Sequence, residues 1–398
     1  MSRERKVYLD CNATTPLAED VLRAIYSALA DCWANPSSSH NEGKKAKVVI
    51  DNARHWVSKM INSTERDVIF TSGGTESNNL AIHSAVEYYS SSRDFGRLPH
   101  VVTTNLEHDS VALCVQALKQ KGCIDLSVVL ASHEDGTVHA EDIVAELRPN
   151  TVLVSVMMAN NETGIIQPVS EIASAVKKWS TQQKTRILIH TDAAQAIGKI
   201  PVDVEDLGVD YLTIAGHKFY GPRTGALYAR NPGVDTPIHA MLYGGGQERN
   251  FRPGTENTGM IAGLGKAAEL VCKNLDEYSR KMVNSRDYLE SNLEEAFEGS
   301  VQFNGRFLTS RRLPNTCNVS FVDSRLGGSQ ILASLQHTLA SNGSACHEGA
   351  SRPSPILSAI GVPEAIALRA LRLSTGRQTT QDDIDCVVED IRVALTKQ

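Results

Sequence analysis

No two cysteines in this chain are spaced as CxxC. The eight present (Cys11, Cys32, Cys114, Cys123, Cys272, Cys317, Cys346 and Cys386) are scattered. That pattern argues against a zinc ribbon or a disulfide framework and for reduced thiols in a cytosol-like compartment. No apolar run approaches membrane-spanning length. The first residues, MSRERKVYLD, pass from charge into a strand without the apolar core of a signal peptide. An excess of basic residues is missing too. The net charge of −6 gives no reason to expect nucleic acid or an anionic membrane as a general partner. There is no internal repeat, no low-complexity linker, and no glycine loop ending in GK[ST], which argues against a nucleotide P-loop. The expectation is a soluble cytosolic protein without a metal site. Its 398 residues suit one large and one small domain.

What the chain does contain is alternation. DVIF precedes the glycine loop TSGGTES, and NNLAIHSAVEYY then reads as a helix. HVVTT precedes NLEHDSV, TVLVSVMMA precedes NNETG, and EIASAVKKW is helical. RILIHTDAAQ, YLTIAG and ALYA are further strands. Apolar strands separated by helices predict an α/β fold with a mainly parallel sheet covered on both faces. Ligands of such sheets gather at the carboxyl ends of strands, and each polar cluster here follows a strand. Beyond about Gly265 a long amphipathic stretch, residues 266–297, predicts a connector into a smaller C-terminal domain. That domain has strands near NTCNVSFV and ALRLST, helices near GSQILASLQHTL and DDIDCVVEDIRVAL, and a Ser/Gly/Pro-rich loop around SACHE.

Lys218 stands between two segments that both read as buried, in VDYLTIAGHKFYGPRTGALYA. Burying an ammonium is expensive, so either the side chain reaches solvent or its amine is used. Asp192 ends the preceding strand. An acid there and a lysine after the next strand are what a Schiff-base cofactor needs: the amine carries an aldehyde, and the carboxylate keeps a ring nitrogen protonated. His108 shares the same rim and could stack on a ring and move protons. The loop FTSGGTES opens a helix, where backbone N–H groups favour a phosphate, although a simple capped turn has the same composition. Cys346 lies among Ser, Gly and His on a loop, and Arg372 sits in a strand as a possible clamp on a carboxylate.

Taken together, NATTP, NPSS, FTSGGTESNN, EHDS, NNETG, DAAQ, GHKFYGP, RPGTEN, SAC and RLSTGR occur in family order. The chain thereby resembles the class V aminotransferase-like group of fold-type I pyridoxal-phosphate enzymes, and within it the NifS-like cysteine desulfurases and selenocysteine lyases. The resemblance implies a large domain with a seven-stranded sheet between helices (17–265), a smaller α+β C-terminal domain (266–398), and an N-terminal segment (1–16) packed with the latter. It implies pyridoxal 5′-phosphate held by Lys218 as a Schiff base, Asp192 at the ring nitrogen, Gln195 at the phenolic oxygen and His108 over the ring. Gly74, Thr75 and His217 are the implied phosphate contacts, with Thr255 reaching the neighbouring subunit of a homodimer. Asn161 and Arg372 hold the amino acid, and Cys346 faces the departing chalcogen. The implied reaction takes L-selenocysteine to L-alanine and a selenide-level product; the alternative is cysteine desulfuration with a persulfide on Cys346. A selenium acceptor protein is a possible partner. Three positions depart from the desulfurase pattern: Ala215 replaces a serine, Cys11 an aromatic residue, and Asp109 a lysine. A selenol ionises more readily than a thiol, which makes Asp109 the candidate for substrate preference.

Overall fold

Short apolar runs without polar alternation become strands buried on both faces, because helices cover each side of the sheet. The computed structural model describes residues 6–92, 96–343 and 353–396. Its strands are β1 (Val7–Tyr8), β2 (Val68–Thr71), β3 (His100–Thr104), β4 (Asp125–Val129), β5 (Thr151–Ser155), β6 (Leu188–Asp192), β7 (Tyr211–Ala215), β8 (Gly225–Ala229), β9 (Val301–Phe303), β10 (Thr316–Phe321), β11 (Thr338–Leu339) and β12 (Ala370–Ser374). Seven of them form one sheet in the order β2-β8-β7-β6-β5-β3-β4. Only β8 runs against the rest: it pairs antiparallel with both β2 and β7, and the other pairs are parallel.

Every residue of β3, β5, β6, β7 and β8 is buried. Val101, Leu188, Tyr211 and Leu227 pack on one face against the helices Gly74–Ser92 and Asp109–Gln120. Val102, Ile189, Leu212 and Tyr228 pack on the other, against Asn41–Met60, Val169–Gln183 and the first turns of Thr258–Ala296. The edge strand β4 alternates exposed and buried residues. It is too short for that alternation to stand out in the sequence, and the sequence reading does not isolate it.

A second core joins β1 to the three-stranded antiparallel sheet β12-β10-β9. Val7 and Leu9 pack with Leu289, Val319, Phe321, Leu371 and Ile391. The stretch GSQILASLQHTL is helical only over Gly328–Ser334. Thr338 and Leu339 form β11 instead and pair parallel with Val7 and Tyr8, so tertiary pairing overrides the expected helix there. Thr258–Ala296 is one unbroken helix running through position 265, started by the Asn257 side chain accepting the Met260 N–H. No helix among the described residues is long and apolar enough to cross a membrane.

Strand order fixes where a ligand can sit. From β3 the chain steps outward to β4 and returns on the other side of β3 as β5, so the crevice between β3 and β5 opens at their carboxyl ends. The hook after β7 is equally constrained. A Cβ on Gly216 would meet the Pro222 carbonyl oxygen at 2.6 Å and that of Thr224 at 3.0 Å. Gly216→Ala is therefore expected to cost the apoprotein about 1–3 kcal/mol in urea unfolding. Gly73→Ala, whose Cβ would meet nothing within 4 Å, is expected to cost no more than about 0.5 kcal/mol. Equal losses for the two variants would refute the tight-hook account.

Candidate active site

A cleft of ≈ 230 Å³ opens at the carboxyl ends of β3, β5, β6 and β7. It is lined by Gly74 and Thr75, His108, Asn161, Asp192, Gln195, His217, Lys218 and Arg372. Nine of the residues singled out in the sequence thus converge on one cavity. Asp192 is the last residue of β6. Its carboxylate accepts the Ala194 N–H at 2.9 Å and the Asn78 amide at 2.7 Å. Lys218 leaves the hook after β7 and donates to the carbonyl oxygens of Asn12 at 2.7 Å and Ala13 at 2.9 Å. Gly74 and Thr75 form the first turn of a 19-residue helix, where N–H groups without intrahelical partners favour an anion.

His108 caps the helix Asp109–Gln120, its Nδ1 accepting the Ser110 N–H at 3.1 Å. An acceptor Nδ1 leaves the ring proton on Nε2. The same Nδ1 lies 2.8 Å from Ser110 Oγ, which in turn accepts from Asn78 Nδ2 at 2.8 Å. One amide nitrogen therefore serves both the Asp192 carboxylate and the hydroxyl behind His108. His217 is pushed down to about 4, chiefly by burial and then by the Lys218 charge. It faces the Thr14 hydroxyl at 3.1 Å.

Arg372 is buried. Its Nη2 donates to Asp10 Oδ1 at 2.6 Å and its Nη1 to the Asn161 carbonyl at 3.2 Å. Its Nε has no hydrogen-bond partner among the described residues. The donor set fits pyridoxal phosphate: a helix N-terminus for the phosphate, a buried carboxylate for a ring cation, and a primary amine for an aldehyde. No group of three His, Cys, Asp or Glu among the described residues could hold a metal ion.

Several expected residues stand elsewhere. Thr255 is exposed and lines a separate depression with Ser72, Arg223 and Arg252. Asp109 begins the helix behind His108 but is not among the residues that line the cleft. Cys346 and its neighbour His347 lie outside the described residues. Conversely, sequence reasoning passed over Asn12, Asn78, Ser110 and Lys199. Asn12 and Asn78 stood inside the quoted motifs NATTP and GGTESNN. Lys199 lies four residues after Gln195 in a helical turn, a spacing that puts both on one side.

Glu107, beside His108, is buried with one oxygen accepting the Met157 N–H and the Thr104 hydroxyl, both at 2.9 Å. The other oxygen has no partner among the described residues. Burial pushes this carboxyl up to about 8, outweighing the two donors, and Asp192 adds to the rise. A carboxyl raised on folding stabilises below its unfolded value near 4.3 and loses that contribution as pH rises toward 8. Glu107→Gln lacks the titration, so its stability minus that of the wild type is expected to rise steadily from pH 5 to pH 8 in urea unfolding. Parallel pH curves would contradict the raised carboxyl.

Comparison with known proteins agrees with this geometry. The family described as class-V aminotransferase matches residues 7–387. The selenocysteine lyase of Xenopus tropicalis is 52% identical over 98% of this chain and 93% of its own length, and that of Homo sapiens is 49% identical over 100% and 93%. The cysteine desulfurase IscS of Dictyoglomus turgidum is 38% identical over 99% and 95%. Among solved structures, a NifS-like protein superposes with a TM-score of 0.88 at 32% identity, covering 99% of this chain and 100% of that one. The chain belongs to the class-V aminotransferase family, whose enzymes work with pyridoxal phosphate.

Proposed function

We propose that this chain is a pyridoxal-phosphate-dependent selenocysteine lyase, cleaving L-selenocysteine to L-alanine. The selenium leaves as the element, or as selenide when a reductant supplies two electrons. What carries the reading is the convergence of Lys218, Asp192, His108 and Arg372 on one cleft, in a chain about half identical to selenocysteine lyases over nearly its whole length. The bound cofactor supplies an electron sink next to the substrate α-carbon.

The protein's own groups do the rest. Arg372, held by Asp10 and the Asn161 carbonyl, takes the substrate carboxylate, and Asn161 closes the same side. Lys218 Nζ releases the carbonyls of Asn12 and Ala13, removes the α-proton and later returns one. Asp192, held by Asn78, would pair with the ring nitrogen, Gln195 with the phenolic oxygen, and Gly74, Thr75 and His217 with the phosphate. His108 would lie over the ring and, with its proton on Nε2, offer a donor toward the leaving group. Cys346 faces the departing chalcogen, either as proton donor to it or as the nucleophile that takes it. Asp109 is assigned to the preference for the selenol over the thiol.

The same reading makes the protein a cytosolic homodimer in which Thr255, exposed and away from its own cleft, completes the phosphate site of the neighbour. It treats 17–265 as the cofactor-binding unit, 266–398 as the smaller unit, and 1–16 as the segment packed on the latter. A selenium acceptor protein is its expected partner. The alternative, cysteine desulfuration with a persulfide on Cys346, is favoured by the 38% identity to cysteine desulfurase IscS.

Alanine formation by protein loaded with pyridoxal phosphate, with L-selenocysteine and L-cysteine side by side, decides between the two. The expected outcome is turnover of selenocysteine with only a trace from cysteine; comparable turnover of cysteine would establish the desulfurase. Lys218→Ala is expected to lower kcat by about 10³-fold or more. Arg372→Lys keeps the charge but loses the fork, and is expected to raise KM about tenfold with a smaller change in kcat. An unchanged KM would remove Arg372 from carboxylate binding.

A further inference from the structure

Lys199 is a second lysine, behind the cleft residues Asn12 and Gln195 and 3% exposed, and the mechanism above gives it no part. Its Nζ donates to Gln195 Oε1 at 2.6 Å and to Asn12 Oδ1 at 2.8 Å. Neither partner is a carboxylate. Burial holds its amine well below the usual lysine range, and the nearby Lys218 charge pushes it the same way. A buried amine on two neutral acceptors is a poor device for stability: burying the group costs several kcal/mol in principle, and an apolar side chain of the same length would avoid that cost. The arrangement needs a use.

The use lies in direction. While it carries its proton, the Lys199 ammonium can only donate hydrogen bonds, and only the oxygen of an amide can accept them. With Oε1 of Gln195 turned to Lys199, its Nε2 is turned the other way, onto the Asn12 carbonyl at 2.9 Å and the cleft. With Oδ1 of Asn12 turned to Lys199, its Nδ2 points to the Asn161 carbonyl at 3.1 Å. That carbonyl is the one Arg372 Nη1 also uses. Lys199 is the donor to Gln195 Oε1, whereas Asn12 Oδ1 is also held by Asn315 Nδ2 at 3.0 Å, so loss of the lysine frees chiefly the Gln195 amide to turn and present oxygen where nitrogen now stands.

We propose that Lys199 is a positioning residue that holds the Gln195 side-chain amide in one orientation, so that Gln195 presents N–H to the cofactor ring, and that it adds to the Asn315 contact in bracing Asn12 behind the substrate carboxylate. The proposal rests on the reading of this cleft as a pyridoxal-phosphate site. It extends that reading to a residue that touches neither cofactor nor substrate.

The test titrates apoprotein with pyridoxal phosphate and records the visible absorption of the loaded form. Wild type, Lys199→Met, Gln195→Ala and the double variant are compared, with the Tm of each apoprotein as a control. Lys199→Met is expected to weaken cofactor binding at least tenfold and to shift the pH at which the visible band changes, while the apoprotein Tm holds or rises. In the Gln195→Ala background the same change is expected to alter cofactor affinity less than threefold, because the group it acts through is gone. Lys199→Gln keeps a donor but adds an acceptor; an intermediate loss is expected, and it serves if Lys199→Met does not fold. A cofactor affinity and spectrum within twofold of wild type in Lys199→Met, or full additivity with Gln195→Ala, overturns the proposal. Wild type that takes up no pyridoxal phosphate overturns the cofactor reading itself, and is distinguished by being read before any variant.

Discussion

Asn12 is the residue on which the site's geometry turns. It is 1% exposed, and all of its polar groups are used. Its N–H donates to Ser374 Oγ, and its side-chain nitrogen to the Asn161 carbonyl and Thr316 Oγ1. Its side-chain oxygen accepts from Lys199 and Asn315, and its carbonyl from Gln195 and Lys218. The loop after β5, the turn after β6, the hook after β7 and the strands β10 and β12 all meet on one asparagine. A residue of another shape or donor pattern there leaves several buried groups unpaired at once, each costing about 1–3 kcal/mol.

Around that hub the protein keeps polar groups short of partners where a ligand belongs. Among the described residues Asn78 Oδ1, Glu107 Oε2 and Arg372 Nε are buried without one. Native structures rarely tolerate such atoms; these three, of ten among the described residues, belong to the cleft or, for Glu107, lie directly behind it. The two acids that matter are treated oppositely. Asp192 receives a backbone N–H and the Asn78 amide. Glu107 keeps one bare oxygen and is driven toward its protonated form.

The sheet was legible because burial on both faces leaves unbroken apolar runs: HVVTT is β3 from end to end, and ALYA is β8 but for one residue. Lys218, Asp192 and His108 were legible because each interrupts such a run at its carboxyl end. What escaped was what only tertiary pairing creates. Thr338 and Leu339 carry no strand signal until Val7 and Tyr8 arrive beside them. Asn12, Asn78 and Lys199 act through partners far away in sequence, and no local pattern distinguishes such amides from ordinary turn or helix residues. Lys199 escaped for a further reason: a lysine in a turn reads as solvated, and only the folded chain buries it.

The long reach of β1 has a consequence for how the protein is made. Asn12 waits for Ser374, 362 residues later, and Val7 and Leu9 belong to a core whose other members come almost entirely from the last third of the chain. At about 5–20 residues per second of synthesis, the first strand leaves the ribosome roughly 20–70 s before its partners do. The sheet around β3 to β8 can close in that interval, but the floor of the cleft cannot. Until the last third of the chain is made, Val7 and Leu9 lack the core that covers them.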